Sequence, residues 1–61
     1  MSLKDLRTKK KLTQKQVSQK LEWTQAEYSQ LENGKRGIEA KKAKELANVL
    51  GVTVNKLIEN L

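Results

Sequence analysis

The chain contains no cysteine, no histidine, no proline and no phenylalanine. Each absence removes a class of structure or chemistry. Without cysteine there is no disulfide staple and no thiolate metal ligand. Without histidine as well, zinc sites and most nucleophile–base pairs lose their usual members. Seven acidic residues remain, but 61 residues leave little room for an enclosed pocket. The reading is a protein that is not an enzyme and uses no metal or cofactor. With no proline, and Gly34, Gly37 and Gly51 as the only glycines, the chain reads as all-helical. No apolar run approaches the roughly 18 residues of a membrane-crossing helix. The N-terminus also lacks the apolar segment of a secretory signal. A cytoplasmic protein without membrane contact is the expectation. At 61 residues it forms a single domain, residues 1–61. A domain of this size buries only about 60% of the surface its unfolded chain exposes, so its stability is marginal.

What the chain does have is positive charge. Thirteen Lys and Arg against seven Asp and Glu give a net charge of +6, and the pI is near 9.9. A pI above about 9 with clustered basic residues is the electrostatic footprint of a nucleic-acid binder. A basic but functionally bland surface would give the same total, so charge alone divides the two readings evenly. Arg7, Lys9, Lys10, Lys11, Lys15 and Lys20 crowd the first third, and Lys41, Lys42 and Lys44 form a later cluster. Lys9, Lys10 and Lys11 suit the negative pole at a helix end. Lys41, Lys42 and Lys44 read as a solvated face.

Caps and apolar spacing predict five helices, over about residues 3–10, 14–21, 25–32, 39–50 and 54–60. Ser2 can cap the first, with Leu3 and Leu6 on one face. Thr13 to Gln16 and Thr24 to Glu27 both have the capping-box form, a Thr followed three residues later by Gln or Glu. Val17 and Leu21 face inward from the second helix, and Leu12 can staple onto Val17. Tyr28 and Leu31 mark the inner face of the third, which Asn33-Gly34 stops. Ala40, Ala43, Leu46, Ala47 and Leu50 share a helical spacing in the fourth, with Gly51 as its cap. Thr53 starts the fifth, with Val54, Leu57 and Ile58 as its buried set.

The second and third helices, joined by a tight turn, are a helix-turn-helix candidate. In such a motif the second helix enters the DNA major groove with its N-terminal residues at base edges. With Tyr28 and Leu31 facing inward, Gln25, Ala26, Ser29 and Gln30 face outward. A Gln amide can bridge adenine N6 and N7, and an Ala methyl can meet a thymine methyl. Ser can pair with several bases. Glu27 has a local task in the capping box, with acceptance from cytosine N4 as a secondary one.

Leu6-Arg7, Leu12-Thr13-Gln14, Val17, Leu21, Thr24, Leu31-Glu32-Asn33-Gly34-Lys35, Leu46-Ala47 and Leu50-Gly51-Val52 together resemble the phage repressor and Cro family of helix-turn-helix domains, often called XRE-like. The resemblance runs from Leu3 to Ile58. Each short motif is weak alone, and their joint order and spacing is what is specific. It implies an all-α, five-helix, lambda-repressor-like fold. Matched positions imply base reading by Gln25, Ala26 and Gln30, with Ser29 beside them. They imply phosphate contacts by Gln14, Thr24, Asn33, Gly34 (through its backbone N–H) and Lys35. Arg36 follows in the same loop, where a phosphate strand passes, and Gly37 lets the backbone come close. Arg7 and Glu32 match a structural salt bridge. The chain departs from the family pattern at Glu22, where glycine is usual and a positive φ would strain Glu. It departs also at Trp23, Ser18, Tyr28 and Ile38. Trp23 is read as a ring filling the gap between the second and third helices.

The leading functional reading is therefore a sequence-specific double-stranded DNA-binding transcriptional regulator. It is a repressor that occupies a palindromic operator as a homodimer. The apolar C-terminal residues Val52, Val54, Leu57, Ile58 and Leu61 are the dimer candidates; most of them close the core, which leaves Val52 or Val54 and Leu61 for the contact. The alternative is an antitoxin or repressor-antagonist module of the same fold, with a protein partner. A basic amphipathic peptide acting at membranes is a third.

Overall fold

Four of the five helices begin at a hydroxyl cap in the computed structural model, which describes residues 2–61. The helices are α1 (Leu3–Lys9), α2 (Gln14–Lys20), α3 (Gln25–Glu32), α4 (Ala40–Leu50) and α5 (Val54–Glu59). Ser2, Thr13, Thr24 and Thr53 accept the backbone N–H three residues on. In the first three, Asp5, Gln16 and Glu27 reach back to the cap's own N–H, so two free donors are satisfied at each start. α4 starts at Glu39 without a side-chain cap. The predicted ends shift by one residue: Lys10, Leu21 and Asn60 are C-terminal caps, and Glu39 is an N-cap.

The first four helices stop in the same way. A residue in the left-handed region turns the chain, and two crossed backbone hydrogen bonds close the last turn. After α3, Gly34 has φ 73°, with its N–H on the Leu31 carbonyl and Lys35 N–H on the Gln30 carbonyl. After α4, Gly51 has φ 69° and the Gly51 and Val52 N–H groups donate to Asn48 and Ala47. After α1 and α2 the same closure is made by Lys11 (φ 57°) and Glu22 (φ 60°). A side chain in this region meets its own backbone, at a cost of about 1–2 kcal/mol. The tight turn into α3 is therefore mildly strained at Glu22.

These turns fold the five helices around one core of Leu3, Leu6, Val17, Leu21, Tyr28, Leu31, Ala43, Leu46, Ala47, Leu50 and Leu57. α2 packs against α3, α4 against α5, and α2 also touches α4. Leu12, Trp23, Ile38, Val49, Val52 and Val54 pack on the core's edge. Ser18, inside α2, is buried and donates its hydroxyl to the Lys15 carbonyl at 2.8 Å.

Ala40, the first residue of the α4 spacing, is exposed. Two expectations are corrected. Ile58 is not buried: α5 places Leu57 in the core and leaves Ile58 56% exposed. Lys42 does not lie on a solvated face. Its ammonium donates to the Leu21 carbonyl at 2.6 Å and pairs with Glu45 at 3.2 Å. It therefore satisfies a carbonyl at the end of α2 and ties α4 to the turn before α3.

Replacing Glu22 by glycine removes the clash but adds chain entropy to the unfolded state, a cost of roughly 0.5–1 kcal/mol. The balance predicts that Glu22→Gly raises the urea midpoint, by about 0.5–1 kcal/mol of stability. A lowered midpoint would show that Glu22 makes a contact worth more than its strain.

Candidate nucleic-acid interface

Burial of Tyr28 and Leu31 fixes the rotation of α3 about its axis. Gln25, Ala26 and Gln30 are then exposed, and Ser29 is half-buried beside them. The outer face of α3 thus carries two open amides, a methyl and a hydroxyl, and it carries no lysine or arginine. Such a face selects by donor and acceptor geometry more than by charge.

The helix is held from below by a polar cluster. Arg7 of α1 donates from Nε to Glu32 Oε2 at 2.6 Å and from a terminal nitrogen to Oε1 at 3.3 Å. Its other terminal nitrogen donates to the Leu12 carbonyl at 2.8 Å. Gln14 Nε2 donates to Glu32 Oε1 at 3.0 Å. The two charged side chains are 10% and 4% exposed, so this is a buried pair. Burial alone would raise the Glu32 pKa, but the hydrogen bonds from Arg7 and Gln14 outweigh it and hold the carboxyl below its ordinary value. The same hydrogen bond to Glu32 raises Arg7. The Tyr28 hydroxyl lies beside this pair, close enough to feel both charges, yet it makes no hydrogen bond of its own. Its burial, with the Glu32 carboxylate nearby, pushes the phenol far up.

The remaining predicted positions divide into committed and open groups. Gln14 spends one amide hydrogen on Glu32 and keeps the other. Thr24 accepts from Glu27 N–H at 3.2 Å and donates its own N–H to Glu27 Oε1 at 2.8 Å, so only its hydroxyl hydrogen is left to offer. The Gly34 N–H is engaged with Leu31 at 3.2 Å and is not a free donor. Gly34 instead turns the chain so that the next residue leaves the helix end. Asn33 and Lys35 are exposed there.

Arg36 does not extend into solvent. Its guanidinium lies over the Trp23 ring, 4.5 Å from the centroid, and donates to Glu27 Oε2 at 3.1 Å. The Thr24 backbone hydrogen bond and then the Arg36 bond hold Glu27 below the ordinary carboxylate range. Trp23 is half-buried against the core edge and also serves as a platform for Arg36. Sequence reading missed this three-way contact. Arg36 and Glu27 are nine residues apart in a loop and a helix, and no local periodicity links them. Gly37 has no positive φ, and a Cβ there would meet nothing within 4 Å. The fold therefore does not demand glycine at that position.

Among the described residues there is no cluster of acidic side chains able to hold a metal. None of their helices is long and apolar enough to cross a membrane.

A helix-turn-helix family model matches residues 3–57. No curated protein matches the chain, and neither does any solved structure.

The buried pair generates a stability prediction. Arg7→Met strands the Glu32 carboxylate, which costs about 3–5 kcal/mol. That is comparable with the whole stability of a domain this size, roughly 0.05–0.15 kcal/mol per residue. The variant should be largely unfolded by circular dichroism at neutral pH, and Arg7→Met with Glu32→Met should regain most of the loss. The pair also sets a pH dependence. Glu32 has a lowered folded pKa, so its contribution is complete above its unfolded value of about 4.3. It is lost as pH falls through the lower folded value. An acid titration followed by circular dichroism should show stability falling below about pH 4.3, less steeply in Glu32→Gln.

Proposed function

The chain belongs to the helix-turn-helix family of the repressor and Cro type, a family of DNA-binding regulators, and from that premise we propose that it binds a palindromic operator as a homodimer and acts as a repressor. The observation that carries the reading is the outer face of α3. Gln25, Ser29 and Gln30 present donor–acceptor groups there, and Ala26 a methyl, without a competing cation. In the proposed complex this face lies in the major groove and reads base edges. Thr24, Asn33, Lys35 and the spare amide hydrogen of Gln14 hold the flanking phosphates. Gly34 contributes the turn that aims Lys35 rather than a donor of its own.

Two copies are needed because one α3 touches too few bases for strong selectivity. Ile58 and Leu61 are 56% and 52% exposed, and the half-buried Val52 and Val54 belong to the same C-terminal region. These residues support a self-complementary apolar contact. With polymerase excluded from an occupied site, repression needs no further active group.

Selection of bound sites from random duplex DNA tests the reading, since it returns both the half-site and its symmetry. On the selected site, Gln25→Ala or Gln30→Ala should lose about 1–3 kcal/mol and relax base choice locally. A uniform loss across all sequences would refute base reading by that residue. Lys35→Ala should weaken binding to every sequence and reduce the log–log salt slope by about one. Ile58→Asp should lower affinity for the full palindrome and leave an isolated half-site unaffected. Equal loss on both would place Ile58 outside the dimer contact.

A further inference from the structure

Arg36 sits in the loop where a phosphate strand is expected to pass, but its two contacts argue for a different task. The guanidinium is stacked on Trp23 at 4.5 Å and bonded to Glu27 at 3.1 Å. Trp23 directly precedes the cap of α3, Glu27 lies in its first turn, and Arg36 lies in the loop after its closure. The trio thus fastens the segment after α3 to the segment before it. It also compensates the one carboxylate on the half-open side of that helix. Glu27 is near Gln30 on the helix, one turn away. Left unpaired, its charge would face the same phosphates that Lys35 attracts. Arg36 spends one terminal nitrogen on Glu27, so a phosphate drawn to the same guanidinium would have to share its charge with that carboxylate.

Resting on the DNA reading above, we propose that Trp23, Arg36 and Glu27 form a charge-neutralising clamp that sets how α3 is presented to DNA. Arg36 is a positioning residue in this clamp, not a phosphate contact. Trp23 keeps the guanidinium over Glu27 when the loop moves. Glu27→Gln keeps the capping box, because Gln serves at that position as Glu does. Its charge can therefore be removed without losing the helix start.

The test combines two measurements on wild type, Arg36→Gln, Glu27→Gln and the double variant. The first is binding to the selected duplex as a function of salt. Arg36→Gln should bind about two- to threefold more weakly at low salt, the effect of one uncompensated charge facing phosphates across a wet interface. The double variant should recover wild-type affinity and salt slope, because the local charge is again zero. A double variant as weak as Arg36→Gln would overturn the proposal, since a phosphate-binding Arg36 is missed whatever stands at position 27. The second measurement needs no DNA. Trp23 is the only tryptophan, so its quenching by acrylamide reports on the covering guanidinium. Quenching should rise in Arg36→Gln, with the helical circular dichroism unchanged. Unaltered quenching would overturn the clamp. Absence of duplex binding by wild type would overturn the DNA reading and the clamp's role in it. Altered Trp23 quenching would still mark that outcome off from a clamp that does not exist.

Discussion

The buried contact between Arg7 and Glu32 is the constraint on which the arrangement of helices depends. Glu32 is the last residue of α3, Arg7 lies in α1, and Gln14 opens α2. The Leu12 carbonyl, in the segment between α1 and α2, is bound by the same guanidinium. One carboxylate thus fixes three helices and a connection at a single point. The apolar core does not supply this precision by itself. Hydrophobic burial is non-directional, so the core, Tyr28 included, decides which face of α3 turns inward but does not by itself fix the angle finely. Two-pronged Arg–carboxylate bonding has a fixed geometry. The outer face of α3 is thereby held at a defined angle to the start of α2.

A second set of contacts secures the other end of α3. Lys42 holds the Leu21 carbonyl, Glu22 turns the chain in a strained conformation, and Thr24 and Glu27 satisfy each other's backbone groups. Arg36 then closes over Trp23. Most polar groups around α3 are spoken for within the chain, whereas Gln25 and Gln30 on its outer face remain open. This contrast separates the scaffold from the open face of α3 more clearly than net charge does.

The helices were legible because their signals are local. A Thr with Gln or Glu three residues later marks a start wherever it occurs, and Gly34 and Gly51 mark two of the stops. Lys11 was not legible as a stop. Lysine has no preference for the left-handed region, and only the fold obliges it to enter. Glu22 could be suspected only because the family usually has glycine there. Ile58 misled because the apolar spacing of α5 resembles a buried stripe, while so short a helix has only one residue, Leu57, fully covered. Lys42 misled for the opposite reason. A long cation in a charged run reads as solvated, and a bond to a carbonyl 21 residues away leaves no mark in the local sequence. The outward set on α3 was found by elimination, once Tyr28 and Leu31 were assigned inward.

The brevity of the helices has a further consequence. α1 and α2 have seven residues each and α3 has eight, well below the length at which an isolated helix persists in water. No part of the surface around α3 therefore exists before the whole chain has folded. A ligand that recognises this surface binds only the folded form, and it draws the folding equilibrium toward itself by mass action. For a domain whose own margin is small, occupied molecules become the long-lived fraction and vacant ones the fraction open to proteolysis. The stability of the domain is then coupled to the occupancy of this surface, through the shortness of three helices.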